Sequence, residues 1–201
     1  LSFKNFLHFP NMNILKGSVT FISGESGTGK STLLRLFNGT HTPSSGSVFF
    51  NDQELETFEP IELRRTILLA GQSVFLFDKT IQENFSEFFT YRGEVPPSDD
   101  VINKCLAVCR ADFPLISDCH LLSGGERQRV FLAICLSMNS EVLLLDEPTS
   151  ALDGINGKKV MKNICDFCRD AGKSLIVVSH DVSLAESFAD NEIVITREVS
   201  L

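Results

Sequence analysis

Residues Gly24 to Thr32 read Gly-Glu-Ser-Gly-Thr-Gly-Lys-Ser-Thr and fit the pattern G-x-x-x-x-G-K-[ST] without a mismatch. Each residue type has a task in holding a polyphosphate. Gly24, Gly27 and Gly29 let the chain turn sharply with no Cβ between backbone and ligand. With Glu25, Ser26 and Thr28 between them, the bared N–H groups form a concave nest for phosphate oxygens. Lys30 supplies a point charge that reaches the β- and γ-phosphates. Ser31 offers a hydroxyl to Mg²⁺, and Thr32 offers one to the α-phosphate. A helix expected over Lys30 to Phe37 aims its positive end at the same place. The loop and helix follow a strand-like run, Ser18 to Ile22, which is the order this loop needs.

Two further stretches carry chemistry. Leu143-Leu144-Leu145-Asp146-Glu147 sets two carboxylates at the end of an apolar run. Ligands of open α/β sheets bind beyond the carboxyl ends of strands, so both acids are expected to face the phosphate loop. Asp146 suits a Mg²⁺ partner, reached through water. Glu147 stands where it can polarise an attacking water. Leu122-Ser123-Gly124-Gly125-Glu126-Arg127-Gln128-Arg129 opens a second helix, with Ser123 and Glu126 at capping-box spacing. A capped helix start with two glycines is an anion site. A second phosphate-binding surface for one nucleotide is most simply used on the nucleotide of another copy.

The elements that must position these residues are legible as apolar runs. Strands are expected at 18–22, 47–50, 66–70, 142–145, 174–179 and 192–196, several of them apolar throughout, as strands buried on both faces of a parallel sheet are. Helical stretches lie between them, which predicts an α/β fold with a mostly parallel sheet flanked by helices. Residues 78–119 lack a clear strand, contain Pro96-Pro97, and then show helical periodicity. They are expected to form a small helical subdomain, with residues 1–77 and 120–201 as the core of a single domain.

Composition limits the alternatives. The chain has 201 residues, 43% hydrophobic, enough for one compact domain. Its net charge of −8 argues against a broad nucleic-acid footprint. The apolar runs are far shorter than the ~20 residues of a membrane span, and the first residues carry no signal-peptide pattern. A cytoplasmic location is the default expectation. The pairs Cys105/Cys109 and Cys165/Cys168 suit one face of a helix, and the six cysteines are expected to be buried or half-buried free thiols.

These motifs together resemble the ATP-binding cassette (ABC) ATPases, the nucleotide-binding subunits of ABC transporters, over nearly the whole chain. Gly24 to Thr32 is similar to the family's Walker A and Val142 to Glu147 to its Walker B. Leu122 to Arg129 is similar to the signature. Pro148 to Asp153 is similar to the D-loop, which places Asp153 near nucleotide. Gln72 takes the place of the Q-loop glutamine, and His180, ending the run LIVVSH, that of the switch histidine. The resemblance implies a P-loop core that binds ATP with Mg²⁺ and hydrolyses it. Glu147 would be the general base, His180 would contact the γ-phosphate, and Gln72 would contact Mg²⁺. Two copies would sandwich two nucleotides, each held by the Walker motifs of one and by Ser123, Gly124 and Gly125 of the other. A separate transmembrane permease would be the partner, with the chain peripheral on the inner face of the cell membrane. The rival class is a non-transport ABC ATPase with soluble or nucleic-acid-associated partners. The family stacks an aromatic residue on adenine upstream of Walker A, and here Phe9 takes that place, with Phe6 and His8 near it. The stretch from Leu15 to Gly24 is shorter than the family's, which implies a trimmed early strand or turn. Phe77 to Asn84 resembles exporter-type domains, but residues 114–120 do not. Import and export both stay open, with export favoured.

Overall fold

The computed structural model describes residues 1–4 and 7–196. In chain order it comprises β1 (Ser2–Phe3), β2 (Leu7–His8), β3 (Val19–Ser23), α1 (Lys30–Phe37), β4 (Phe49–Phe50), β5 (Gln53–Glu54), α2 (Pro60–Thr66), β6 (Ile67–Ala70), α3 (Ile81–Tyr91), α4 (Asp99–Val108), α5 (Gly124–Ser137), β7 (Val142–Asp146), α6 (Gly154–Asp170), β8 (Ser174–Val178), α7 (Val182–Phe188) and β9 (Asn191–Val194). The principal sheet has the order β6-β7-β8-β3-β9, with every neighbouring pair parallel. This is the expected α/β architecture. Strands β7 and β8 are buried along their whole length, which is why their sequences are apolar without alternation.

Packing divides the chain into two compact units. The first holds residues 1–71, 140–147 and 168–201, and the second holds 72–139 and 148–167. The first contains the parallel sheet. One face of that sheet packs on α1 through Leu33, Leu34 and Phe37, against Ile22, Leu144 and Ile176. The apolar run at 47–50 does not join the sheet. Only Phe49–Phe50 is a strand, paired antiparallel with β5 in a separate ribbon. Asn51 and Asp52 both take positive φ (49° and 63°) between the paired residues Phe50 and Gln53. That is a two-residue hairpin of the primed type. The Asn-Asp dipeptide was its sequence signal, one that a search for apolar runs passes over.

The chain turns at Lys16-Gly17 and enters β3 directly. Gly17 sits at φ 73°, and its N–H donates to Ser174 Oγ at 2.9 Å. Beside this turn a cavity of about 810 Å³ opens over the first residues of β6, β7 and β8. Ile67, Val142, Ser174 and Ile176 line it, together with Met12 and Ile14.

In the second unit α3, α4 and α5 pack on one another. Helix α3 starts with a complete capping box, in which the Thr80 hydroxyl accepts from Glu83 N–H and the Glu83 carboxylate accepts from Thr80 N–H. Asn84, fully buried, ties down the loop before this helix. Its Oδ1 accepts from Phe77 N–H at 2.8 Å, and its Nδ2 donates to the carbonyls of Phe77 and Thr80. All six cysteines are buried free thiols, as expected. Desolvation pushes Cys135 and Cys168 up to about 12, so they stay protonated and inert. Among the described residues no helix is long and apolar enough to cross a membrane.

Candidate functional site

The phosphate loop runs from the end of β3 into α1. Its first glycine is a packing necessity. Gly24 has φ 142°, and a Cβ there would lie 2.2 Å from the Ile195 carbonyl oxygen. Gly29 has φ 93°, and a Cβ would meet Leu7 at 2.9 Å and the Phe9 ring at 3.2 Å. Gly27, at φ 79°, has nothing within 4 Å, so its bare face is open to a ligand. Residues Glu25, Ser26 and Gly27 are exposed, while Thr28 is buried and donates its hydroxyl to the Glu25 carbonyl at 2.9 Å. Lys30 is 5% exposed, and its Nζ donates to the Gly24 and Glu25 carbonyls at 2.8 Å each. The ammonium thus straps the loop from within. Burial pulls its pKa below the ordinary lysine value, partly opposed by the negative charges of Glu147 and Asp146. A buried cation beside an open nest of backbone amides favours an anionic ligand.

The end of β7 meets the loop. Ser31 Oγ donates to Asp146 Oδ1 at 3.0 Å, joining residues 115 positions apart. Thr32 follows in the first turn of α1 and is half-buried. Glu147, the next residue after β7, holds φ 53°, a left-handed backbone that costs about 1–2 kcal/mol for a side chain with a Cβ. Its N–H donates to the Val178 carbonyl at 2.9 Å, which ties this turn to the end of β8. Two residues beyond that carbonyl, His180 Nε2 lies 3.4 Å from Glu147 Oε1. Burial raises the Glu147 pKa above the ordinary carboxyl value, with His180 pulling the other way. A carboxylate held partly desolvated beside a histidine has the environment of a general base.

Phe9 is 5% exposed and packs in the core of the first unit, its ring against the loop backbone at Gly29. A buried ring has no open face for a purine, so Phe9 serves as the floor of the loop instead of the stacking platform expected of it. His8 next to it is exposed, and Phe6 lies outside the described residues.

The remaining predicted residues belong to the second unit. Gln72 is exposed at its start, two residues after β6. Ser123 caps α5: its hydroxyl donates to Glu126 Oε2 at 2.7 Å, and the same oxygen accepts from Ser123 N–H at 2.8 Å. The hydroxyl also accepts from Glu126 N–H at 3.4 Å. This is the expected capping box. The two glycines that follow differ in purpose. Nothing lies within 4 Å of a Cβ at Gly124, whereas one at Gly125 would meet the Ala151 carbonyl at 2.8 Å. Asp153 is exposed and caps α6, its carboxylate accepting from Asn156 N–H at 3.0 Å and from Asn156 Nδ2 at 2.6 Å. Those bonds hold its pKa below the usual carboxylate value.

Sequence reasoning assigned no role to Arg127 and Gln128, which the structure puts to use. Arg127 donates to the Cys119 carbonyl at 2.7 Å and to the Leu76 carbonyl at 3.3 Å, holding two loops to α5. Gln128 is 3% exposed and accepts from Ala151 N–H at 3.0 Å. The available signal was a glutamine at the position where α5 turns apolar.

The ABC transporter family profile matches residues 7–150, well over half of the chain. An energy-coupling factor transporter ATP-binding protein of Clostridium perfringens is 34% identical over 189 residues, covering 90% of this chain. This chain spans 65% of that relative's length. The dimeric structure of MJ0796, a bacterial ABC transporter cassette, superposes with a TM-score of 0.82 at 29% identity, covering 94% of this chain and 85% of the other. The same cassette in a post-hydrolysis dimer bound to ADP and Pi gives 0.82 at 28% identity, covering 95% and 86%. The strand order, the phosphate loop tied to the end of β7, and the profile match agree: this chain belongs to the ABC transporter family.

Proposed function

We propose that this chain binds and hydrolyses ATP as the nucleotide-binding subunit of a transporter, energising a separate membrane permease. The observation that carries the reading is the convergence, around an open phosphate loop, of Ser31 with Asp146 and of Glu147 with His180. Backbone amides of 25–29 and Lys30 hold the β- and γ-phosphates. The adjacent hydroxyl and carboxylate oxygens of Ser31 and Asp146 fit a hard divalent cation. Mg²⁺ bound there supplies charge neutralisation to the phosphate oxygens. Glu147 takes the proton of the attacking water. His180 keeps that carboxylate oriented and meets the γ-phosphate. The reaction leaves ADP and inorganic phosphate.

Ser123, Gly124 and Gly125 present a helix N-terminus whose first glycine is unobstructed, and they hold the nucleotide of a second copy. The dimeric relatives support this arrangement. The second unit also exposes an aromatic cluster: Phe75 and Tyr91 are 58% and 78% exposed and pack on Phe77. Exposed apolar clusters mark protein contacts, and this one is assigned to the permease. The chain then works at the inner membrane face.

Phosphate release from Mg-ATP by the purified chain, with ATP binding followed separately, tests the enzymatic reading. The expected result is turnover by the parent chain, and bound ATP with no turnover in Glu147→Gln. Equal turnover in both would remove Glu147 as the base.

A further inference from the structure

We infer that Gln128 is a positioning residue that locks segment 149–152 to the first turns of α5, so that the signature and the start of α6 form one preformed face. The inference rests on the two-copy reading above and deepens it. All the residues concerned lie in the second unit. Gln128 stands one turn into α5, nearly fully buried, with its amide turned to the chain after β7. Oε1 accepts from Ala151 N–H at 3.0 Å, and Nε2 is 3.4 Å from Ser150 Oγ. One side-chain amide therefore holds two successive residues of the segment.

Two close approaches fix the same segment from either side. Gly125 on α5 leaves room for the Ala151 carbonyl, 2.8 Å from where a Cβ would stand. Gly157 on α6 leaves room for Thr149, whose Cβ would lie 3.3 Å from an added methyl. Asp153 then caps the helix that carries Gly157. The segment is gripped by an amide, a glycine on α5 and a glycine on α6, so it has no room to move apart from the signature. A face that must close on another copy's nucleotide gains affinity when it is ordered beforehand, because no loop entropy is lost on closing.

The test uses Gln128→Met, which keeps the volume and removes both amide contacts. Three readouts apply: amide exchange at Ala151 in the monomer, the ATP concentration at half-dimerisation in the Glu147→Gln chain, and KM against kcat in the chain with Glu147 intact. Faster exchange at Ala151 is expected. The dimerisation midpoint should rise roughly fivefold, the worth of about one net hydrogen bond. Monomer affinity for ATP should be unchanged, and KM should rise while kcat at saturating ATP holds within about twofold. A merely structural role would lower the active fraction instead, so kcat would fall at constant KM. That pattern, or an unaltered midpoint, overturns the inference. If Gln128→Met does not fold, Gly157→Ala presses on the same segment from α6 and should shift the same midpoint; no shift there is equally fatal. If the Glu147→Gln parent does not dimerise with ATP, the two-copy reading itself fails and the inference falls with it.

Discussion

Glu147 combines strain and charge in one side chain, and the two can be separated. Its left-handed φ of 53° penalises any residue with a Cβ, while its raised pKa penalises the ionised carboxylate. The sign follows from the direction of the shift. The folded chain binds the proton more tightly than the unfolded one, so this group costs no stability below the ordinary carboxyl value of 4.5. The cost appears as pH rises through that value and through the raised one. Glu147→Gln should therefore melt above the parent at pH 7, by an increment that disappears near pH 4; an increment independent of pH would exclude the charge as its cause. Glu147→Gly also relieves the backbone and should add about 1 kcal/mol beyond Glu147→Gln, read by denaturant titration. Both should be inactive, a local case of function held against stability.

The capping box of α5 allows a similar separation one level up. Ser123→Ala removes the hydroxyl and should cost about 1 kcal/mol of stability in denaturant titration, with ATP binding by the monomer retained. Ser123→Arg should likewise spare ATP binding but prevent ATP-driven dimerisation, because a long cation would fill the surface we propose for the partner's nucleotide. Light scattering of the Glu147→Gln,Ser123→Arg chain with ATP would decide it; a dimer peak would end the role of the signature across two copies. The helices were legible in outline because their signals are local. The capping pattern Ser123–Glu126 and the apolar run after Gln128 depend only on sequence spacing. The ribbon of β4 and β5 was legible only in part. Two-residue strands have no periodicity to read, and the hairpin depends on the φ of Asn51 and Asp52, which apolarity does not encode.

The chain taken entire offers two more expectations. The cavity beside the Lys16-Gly17 turn leaves Val142 and Ile176 against open space at one end of the sheet. Ile14→Phe, at its wall, should fill part of it and raise the melting temperature by a few degrees without changing ATP turnover; a lower melting temperature would mean the wall cannot accept the added ring. Phe75→Asp with Tyr91→Asp should keep ATP turnover by the isolated chain and lose co-purification of a membrane protein from native membranes; retention would move the docking surface elsewhere. The phosphate loop, the two carboxylates after the apolar run and the capped signature were all readable from the chain, because nest, strand end and cap are set by neighbouring residues. Three things were not. Phe9 lies in the core instead of an open stacking site, since burial depends on what packs over a ring and not on where it falls in sequence. Asp146 was expected to face the loop, but its direct bond to the Ser31 hydroxyl, across 115 positions, depends on the parallel crossovers that set β7 and β3 on either side of β8. Gln128 reads as an ordinary helix residue until the chain returns after β7 and sets Ala151 N–H against its amide. Local spacing specifies which chemistry is available; long-range packing specifies which atoms meet, because those contacts form between segments whose separation in sequence carries no record of their distance in space.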